Sequence, residues 1–312
     1  MTGARGTTSS SSLSPPEVRL RTLLPLVLLA ACQSGAPRDS LIRNPLDPFP
    51  ESLADVGLYP DLSDLTVVTP EAQLYEPQWP LWTNGSSKDR YVVINGDMDL
   101  PSPAVYPSGT LFFKTFGYAD GPAETRVMRL AEDGWEYGTY VWDGDDATLT
   151  DGRTLVTVDR TNANGDAVQH AVPVTLQCRT CHESGPSAVL GYSPEQLGAP
   201  IDSGDPLTDE FLGLLQGNCV HCHNGSDAPS ASFDMRSDVA LSNLIDRPTQ
   251  GSASAGGIRI VPGDPQASVL YQAMAGDSGD AEVADMPPLG VELRDDAGLD
   301  IVSRFIESLE SP

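Results

Sequence analysis

Lysine is all but missing from this chain. Lys88 and Lys114 are the only two, and 18 basic residues stand against 44 acidic ones, for a net charge of −26. A field of that sign repels phosphate backbones and excludes a nucleic-acid partner. Its plain reading is solubility, with docking to a basic protein as the lesser one. Cysteine is absent between residues 33 and 177 and again after 222, so four of the five lie within 178–222. Histidine is scarce as well, and three of its four positions, 182, 221 and 223, adjoin those cysteines. Hydrophobic residues make up 39% and charged residues 20%, so most of the 312 residues are expected to fold, as one large domain or two modest ones.

A membrane-length apolar run is also lacking at the amino terminus. LLPLVLLAA (23–31) is shorter than the roughly 20 residues that a bilayer span needs. With Arg19 and Arg21 before it and small residues at its end, it has the layout of an export signal. Leu29-Ala30-Ala31-Cys32 resembles the bacterial lipobox. That resemblance makes 1–31 a lipoprotein signal peptide, Cys32 the lipidation site and the membrane a partner through the lipid. Gln33, rather than Asp, after the cysteine points to the outer membrane. The serine-rich stretch ahead of Val18 is foreign to such signals and puts the expected start near Val18. The expected location is the periplasmic side or surface of the bacterial cell envelope, where disulfides are permitted.

Residues 32–56, rich in Pro, Asp and Ser, read as a flexible tether. From 57 to 177 the pattern is β-like. TLFFKTFGY (110–118), TRVMRLA (125–131), WEYGTYVWD (135–143), RTLVTVD (153–159) and VQHAVPV (168–174) carry β-branched and aromatic residues between turn signals. Asp133-Gly134, Asp151-Gly152 and Asn164-Gly165 sit where hairpins would turn. The four tryptophans, 79, 82, 135 and 142, read as core or sheet-face residues, and DGDD (143–146) as a solvated turn. After Cys178 the pattern turns helical, over 206–218 with Thr208 as N-cap, 263–275 with Asp264 as cap, and 294–310. The expected class is therefore α+β. A β-rich N-terminal domain (57–177), sandwich or barrel-like, leads through a segment 178–204 to a small all-α domain (205–312).

Two stretches match C-x-x-C-H: Cys178-Arg179-Thr180-Cys181-His182 and Cys219-Val220-His221-Cys222-His223. On a helical turn, cysteines three apart share a face, so both sulfurs reach the two vinyl groups of one haem. The histidine after the second cysteine then reaches the iron. Two matches using every cysteine after Cys32 point to two covalently attached haems c, with His182 and His223 as axial ligands. A four-cysteine zinc ribbon leaves both histidines as coincidences. A redox dithiol lacks the βαβ pattern around either pair. His221, between the two cysteines of its motif, reads as facing outward. Asp285-Met286-Pro287-Pro288-Leu289-Gly290 offers Met286 as second ligand of the second iron, on a proline-stiffened loop between helices.

The order helix, C-x-x-C-H, helix, Met-Pro loop, helix resembles a class I cytochrome c domain. That resemblance implies that the first and last helices cross at a small residue, with Gly213 and Phe305 the candidates. More widely, GLYPDL (57–62), YEPQWPLWTNGSSKDRYV (75–92), PSGTLFFKTF (107–116), QCRTCH (177–182), VLGYSPEQLG (189–198), VPGDPQASVLYQAM (261–274) and MPPLG (286–290) resemble a bacterial family of exported dihaem c-type cytochromes. The resemblance implies covalent haem, electron transfer and redox protein partners in the envelope. Only 36 residues separate His182 from Cys219, too few for a whole cytochrome domain. The first iron's second ligand stays open between His170, Met98, Met128 and none.

The expected function is thus a membrane-anchored dihaem electron carrier rather than an enzyme. One alternative is a dihaem peroxidase or oxidase acting through an open first haem. The other is a binding module, with the β region recognising a partner and the haem domain serving as its redox output.

Overall fold

The β-branched and aromatic runs pair with one another in sequence order. The computed structural model describes residues 41–96, 105–185, 187–226, 233–250, 256–276 and 283–310. Cys32, Met98 and the expected signal peptide lie outside the described residues. Strands β1 (Gln73–Leu74), β2 (Ser87–Val93), β3 (Leu111–Tyr118), β4 (Gly121–Ala131), β5 (Gly134–Asp143) and β6 (Asp146–Leu149) form one antiparallel sheet in the order 1-2-3-4-5-6. β7 (Val156–Thr161) and β8 (Ala167–Val172) form a separate hairpin that turns at Asn164-Gly165. The expected sandwich or barrel is corrected to this open meander, since β6 does not return to pair with β1. β2 escaped the sequence reading because its polar positions are Lys88, Asp89 and Arg90, which mask the alternation.

The period of two gives the sheet two unlike faces. One carries Tyr91, Val93, Leu111, Phe113, Val127, Tyr140 and Trp142, and Leu53, Val56, Leu58 and Tyr59 pack over it. Leu41, Ile42 and Phe49 join the same core, so the described part of the expected flexible tether, 41–56, is packed chain. The guanidinium of Arg129, 1% exposed, holds it there by donating to the carbonyls of Ile42, Asn44 and Asp47 while pairing with Glu136. The opposite face sets Val92, Phe112, Met128 and Tyr137 in one cross-strand row and Arg90, Lys114, Arg126 and Thr139 in the next.

The helices follow: α1 (Thr175–His182), α2 (Pro194–Leu197), α3 (Pro206–Asn218), α4 (Ala240–Leu244), α5 (Val269–Ala275) and α6 (Asp296–Ser308). α3 starts one turn earlier in its capping than Thr208 suggested: Asp205 is the N-cap and accepts from the Thr208 amide at 2.8 Å. α5 is shorter than 263–275, because Ile258 bridges Ser268 as a strand partner and holds the preceding residues out of the helix. α3 and α6 pack through Phe211 and Phe305, whose rings stack at 3.9 Å and 4°. Leu212, Leu215, Val302 and Ile306 complete that core. The close approach between the two helices falls at Gly298, where an added Cβ would meet Leu214 at 3.1 Å. Gly213 is taken up elsewhere, against Trp79. The sheet and the helices belong to one compact unit, Pro37–Pro312.

Phe305→Ala should cost about 3–5 kcal/mol in denaturant unfolding, because it empties the centre of the helix pair. Leu74→Ala, at a site 69% exposed on the edge strand, should stay within about 0.5 kcal/mol of wild type.

Candidate functional site

Both C-x-x-C-H stretches terminate helices, and the fold lays the two side by side. The first occupies the end of α1, where the three-residue spacing puts Cys178 and Cys181 on one side. The second begins at Cys219, the C-cap of α3, and runs through a tight turn in which the His223 amide donates to the Cys219 carbonyl at 2.8 Å. Ser184, buried just after the first motif, places its hydroxyl 3.0 Å from the Cys181 carbonyl and 2.9 Å from the His221 carbonyl. Asn224 and Ser226 donate back to the Ser184 carbonyl at 3.3 and 2.8 Å. The thiols of Cys181 and Cys222 interact directly, which pushes Cys181 up and draws Cys222 down. Among the described residues no two cysteines form a disulfide. Among the described residues no three of His, Cys, Asp or Glu gather closely enough to hold a bare metal ion.

A cavity of about 840 Å³ lies between the sheet face bearing the cationic row, α1, the second motif and the loop after Met286. That volume falls within the roughly 300–1,000 Å³ of small-molecule sites. Its walls include Cys178, Cys181, His182, Val220, His221, Arg90, Lys114, Arg126, Met128, Tyr137, Trp79, Trp82 and Pro287 to Glu292. His221 does not face outward as expected; it lines the cavity. The neighbouring motif occupies the side that solvent would otherwise take, and burial lowers its pKa.

His182 is set up as a ligand. Its Nδ1 lies 2.6 Å from the Ala188 carbonyl, which can only accept, so the proton sits on Nδ1 and the Nε2 lone pair is bare. Burial brings its pKa down to about 4, with Lys114, Arg126 and His221 adding and the Ala188 hydrogen bond opposing. The imidazole is therefore neutral, the form that binds a metal. Tyr137, 5.6 Å away ring to ring, has a buried hydroxyl with no partner among the described residues. The cavity, the bare Nε2 and the orphaned hydroxyl fit a haem joined at Cys178 and Cys181.

The second motif is placed differently. His223 lies 4.5 Å from the Phe233 ring, tilted at 45° to it, and its Nδ1 is buried without a partner among the described residues. Burial and then His221 and Arg259 bring its pKa to about 4, with the Phe233 backbone opposing. Cys219 packs into the helical core, where burial raises it to about 12. Met286 is 39% exposed, held by its amide to the Ala273 carbonyl at 2.9 Å, and is not on the cavity wall although Pro287 and Pro288 are.

Of the open candidates for the first iron's second ligand, Met128 lines the cavity and His170 does not. Both nitrogens of His170 are committed, Nε2 to Glu124 at 2.8 Å and Nδ1 to the Tyr118 hydroxyl at 2.9 Å. Glu124 is fully buried; burial pushes its pKa up, but the Arg126 charge and the His170 hydrogen bond outweigh it and leave the carboxyl below its ordinary 4.5. Arg90, Lys114, Arg126 and Tyr137 were missed by sequence reading. The only available signal was that both lysines of an acidic chain fall on adjacent strands.

No family model matches the chain, and neither a curated protein nor a solved structure matches it.

In the haem-free chain, imidazole ¹⁵N shifts of His182 should stay those of the neutral Nδ1–H form past pH 6.5 and change only near about 4. An ordinary midpoint near 6.5 would contradict the assigned tautomer and burial. Glu124, with its lowered pKa, adds stability that is full above pH 4.5 and lost as pH falls through the lower folded value. Glu124→Gln should therefore cost about 3–5 kcal/mol at neutral pH and flatten the acid limb of a melting-temperature profile.

Proposed function

We propose that this chain is a dihaem c-type cytochrome, an electron carrier anchored to the bacterial cell envelope through lipid at Cys32. The observation that carries the reading is His182, a neutral imidazole with a bare Nε2. It opens on the cavity that also takes Cys178 and Cys181. Cys178, Cys181, Cys219 and Cys222 would hold two haems by thioether bonds, with His182 and His223 as axial ligands. Met286, 39% exposed on the loop between α5 and α6, is the proposed second ligand of the His223 iron. The helical half is proposed to be a class I cytochrome c-like domain.

Haem supplies one-electron exchange at its iron; the chain supplies ligand choice, burial and spacing. The Ser184–Asn224–Ser226 hydrogen bonds hold the two motifs against each other, and so set a short path between two redox centres. The acidic exterior would steer docking toward basic redox partners.

Reduced-minus-oxidised spectra should show c-type bands, and a denaturing gel should carry haem-linked peroxidase stain. Intact mass should give two haems in wild type and one in Cys178→Ser/Cys181→Ser. A chain matured in a host competent for c-type attachment that carries no haem would sink the reading.

A further inference from the structure

Arg90, Lys114 and Arg126 stand directly opposite one another on β2, β3 and β4, in one row across the sheet. Like charges placed opposite on neighbouring strands repel, and such rows destabilise a sheet. The chain has 18 basic residues to spend against 44 acidic ones, yet three of them share this row. Among the described residues only Arg126 of the three forms an ion pair, with Glu124, which is also engaged by His170. Arg90 donates to the Lys88 carbonyl at 3.2 Å. The Lys114 ammonium makes no hydrogen bond or ion pair among the described residues and lies 4.8 Å from the Phe116 ring centroid. Burial, then Arg90, Arg126 and Lys88, hold Lys114 well below the usual lysine range, with the Glu124 charge opposing. All three side chains line the cavity that also takes Cys178, Cys181 and His182, and the adjoining row on one side, Val92, Phe112 and Met128, is apolar. A wall with one apolar row and one cationic row suits an amphiphilic ligand bearing carboxylates.

We propose that Arg90, Lys114 and Arg126 bind the propionates of the haem attached at Cys178 and Cys181, so that the β sheet serves as the carboxylate-binding wall of the first haem. This rests on the haem reading given above. It assigns the β region a part in cofactor binding rather than in partner recognition. The propionates neutralise a row that would otherwise repel itself, and the row in return keeps them ionised. A ferric haem carries one more positive charge than a ferrous one, so cations beside it favour the reduced state. Removing one lowers the midpoint potential.

The test uses the full haem-loaded protein with Lys114→Met and, separately, Arg90→Gln. Both variants should keep two haems by intact mass. One midpoint should fall by the equivalent of about tenfold in the reduction equilibrium, about 59 mV for one electron, and the other should hold. The propionate bending band in resonance Raman should shift. In Cys178→Ser/Cys181→Ser, which lacks that haem, Lys114→Met should leave the melting temperature unchanged or raise it, because only repulsion is removed. Two haems with both potentials and the Raman band unchanged in both variants would overturn the proposal and leave the cytochrome reading intact. If added citrate shifts the wild-type spectrum, and Lys114→Met abolishes that shift without moving a potential, the row takes a free carboxylate and the propionate assignment fails. Wild type with no covalent haem overturns the cytochrome reading and this proposal together.

Discussion

The indole of Trp79 occupies the space a Cβ would need at Gly213, whose added carbon would clash with the ring nitrogen. The Trp79 backbone presses equally on Gly217, one turn further along α3. Two glycines on one face of a helix thus form a seat for the segment that leads into β2. The segment is fastened there by polar contacts. The Trp82 amide donates to Asn218 at 2.7 Å, its indole N–H to the Leu293 carbonyl at 2.8 Å, and Asn84 accepts from the Glu292 and Leu293 amides. These contacts hold α3 and the loop after Met286 against the sheet. The cavity is the space left between them, and its width is decided by a tryptophan against two glycines.

Charge is distributed against the grain of the composition. The exterior is acidic, while the cavity wall gathers Arg90, Lys114 and Arg126. Burying such groups is costly unless something offsets the charge. Glu124 does so for Arg126, and its own second oxygen is left without a partner. The chain of Tyr118, His170, Glu124 and Arg126 ties the β7–β8 hairpin to β4. That is why His170, the histidine nearest the first motif in sequence among those preceding it, has no free nitrogen for a metal.

The strands around Phe113, Val127 and Tyr140 were legible because alternation of apolar residues is a local property. So were α3 and α6, with their apolar stripes, although the cap of α3 fell at Asp205 rather than Thr208. β2 was not, because its inward-facing polar residues break the alternation in the same way that solvent-facing ones would. The packing of residues 41–56 was hidden for a related reason. Their Pro- and Asp-rich composition reads as loose chain, and the buried guanidinium that collects their carbonyls lies some eighty residues away in sequence, at Arg129. His221 was misjudged because its exposure depends on what packs beside it, and that neighbour is the other motif.

The sequence by itself determined the pairs of cysteines three apart, each followed by histidine, and with them the chemistry to which the chain is suited. Spacing on one helical turn is set by the backbone alone. Only the tertiary structure decided that the two motifs touch, that His182 keeps its proton on Nδ1, and that a row of cations from three strands looks onto the same cavity. Each of these depends on groups distant in the chain meeting across a packed core, and no local pattern encodes which surfaces will meet.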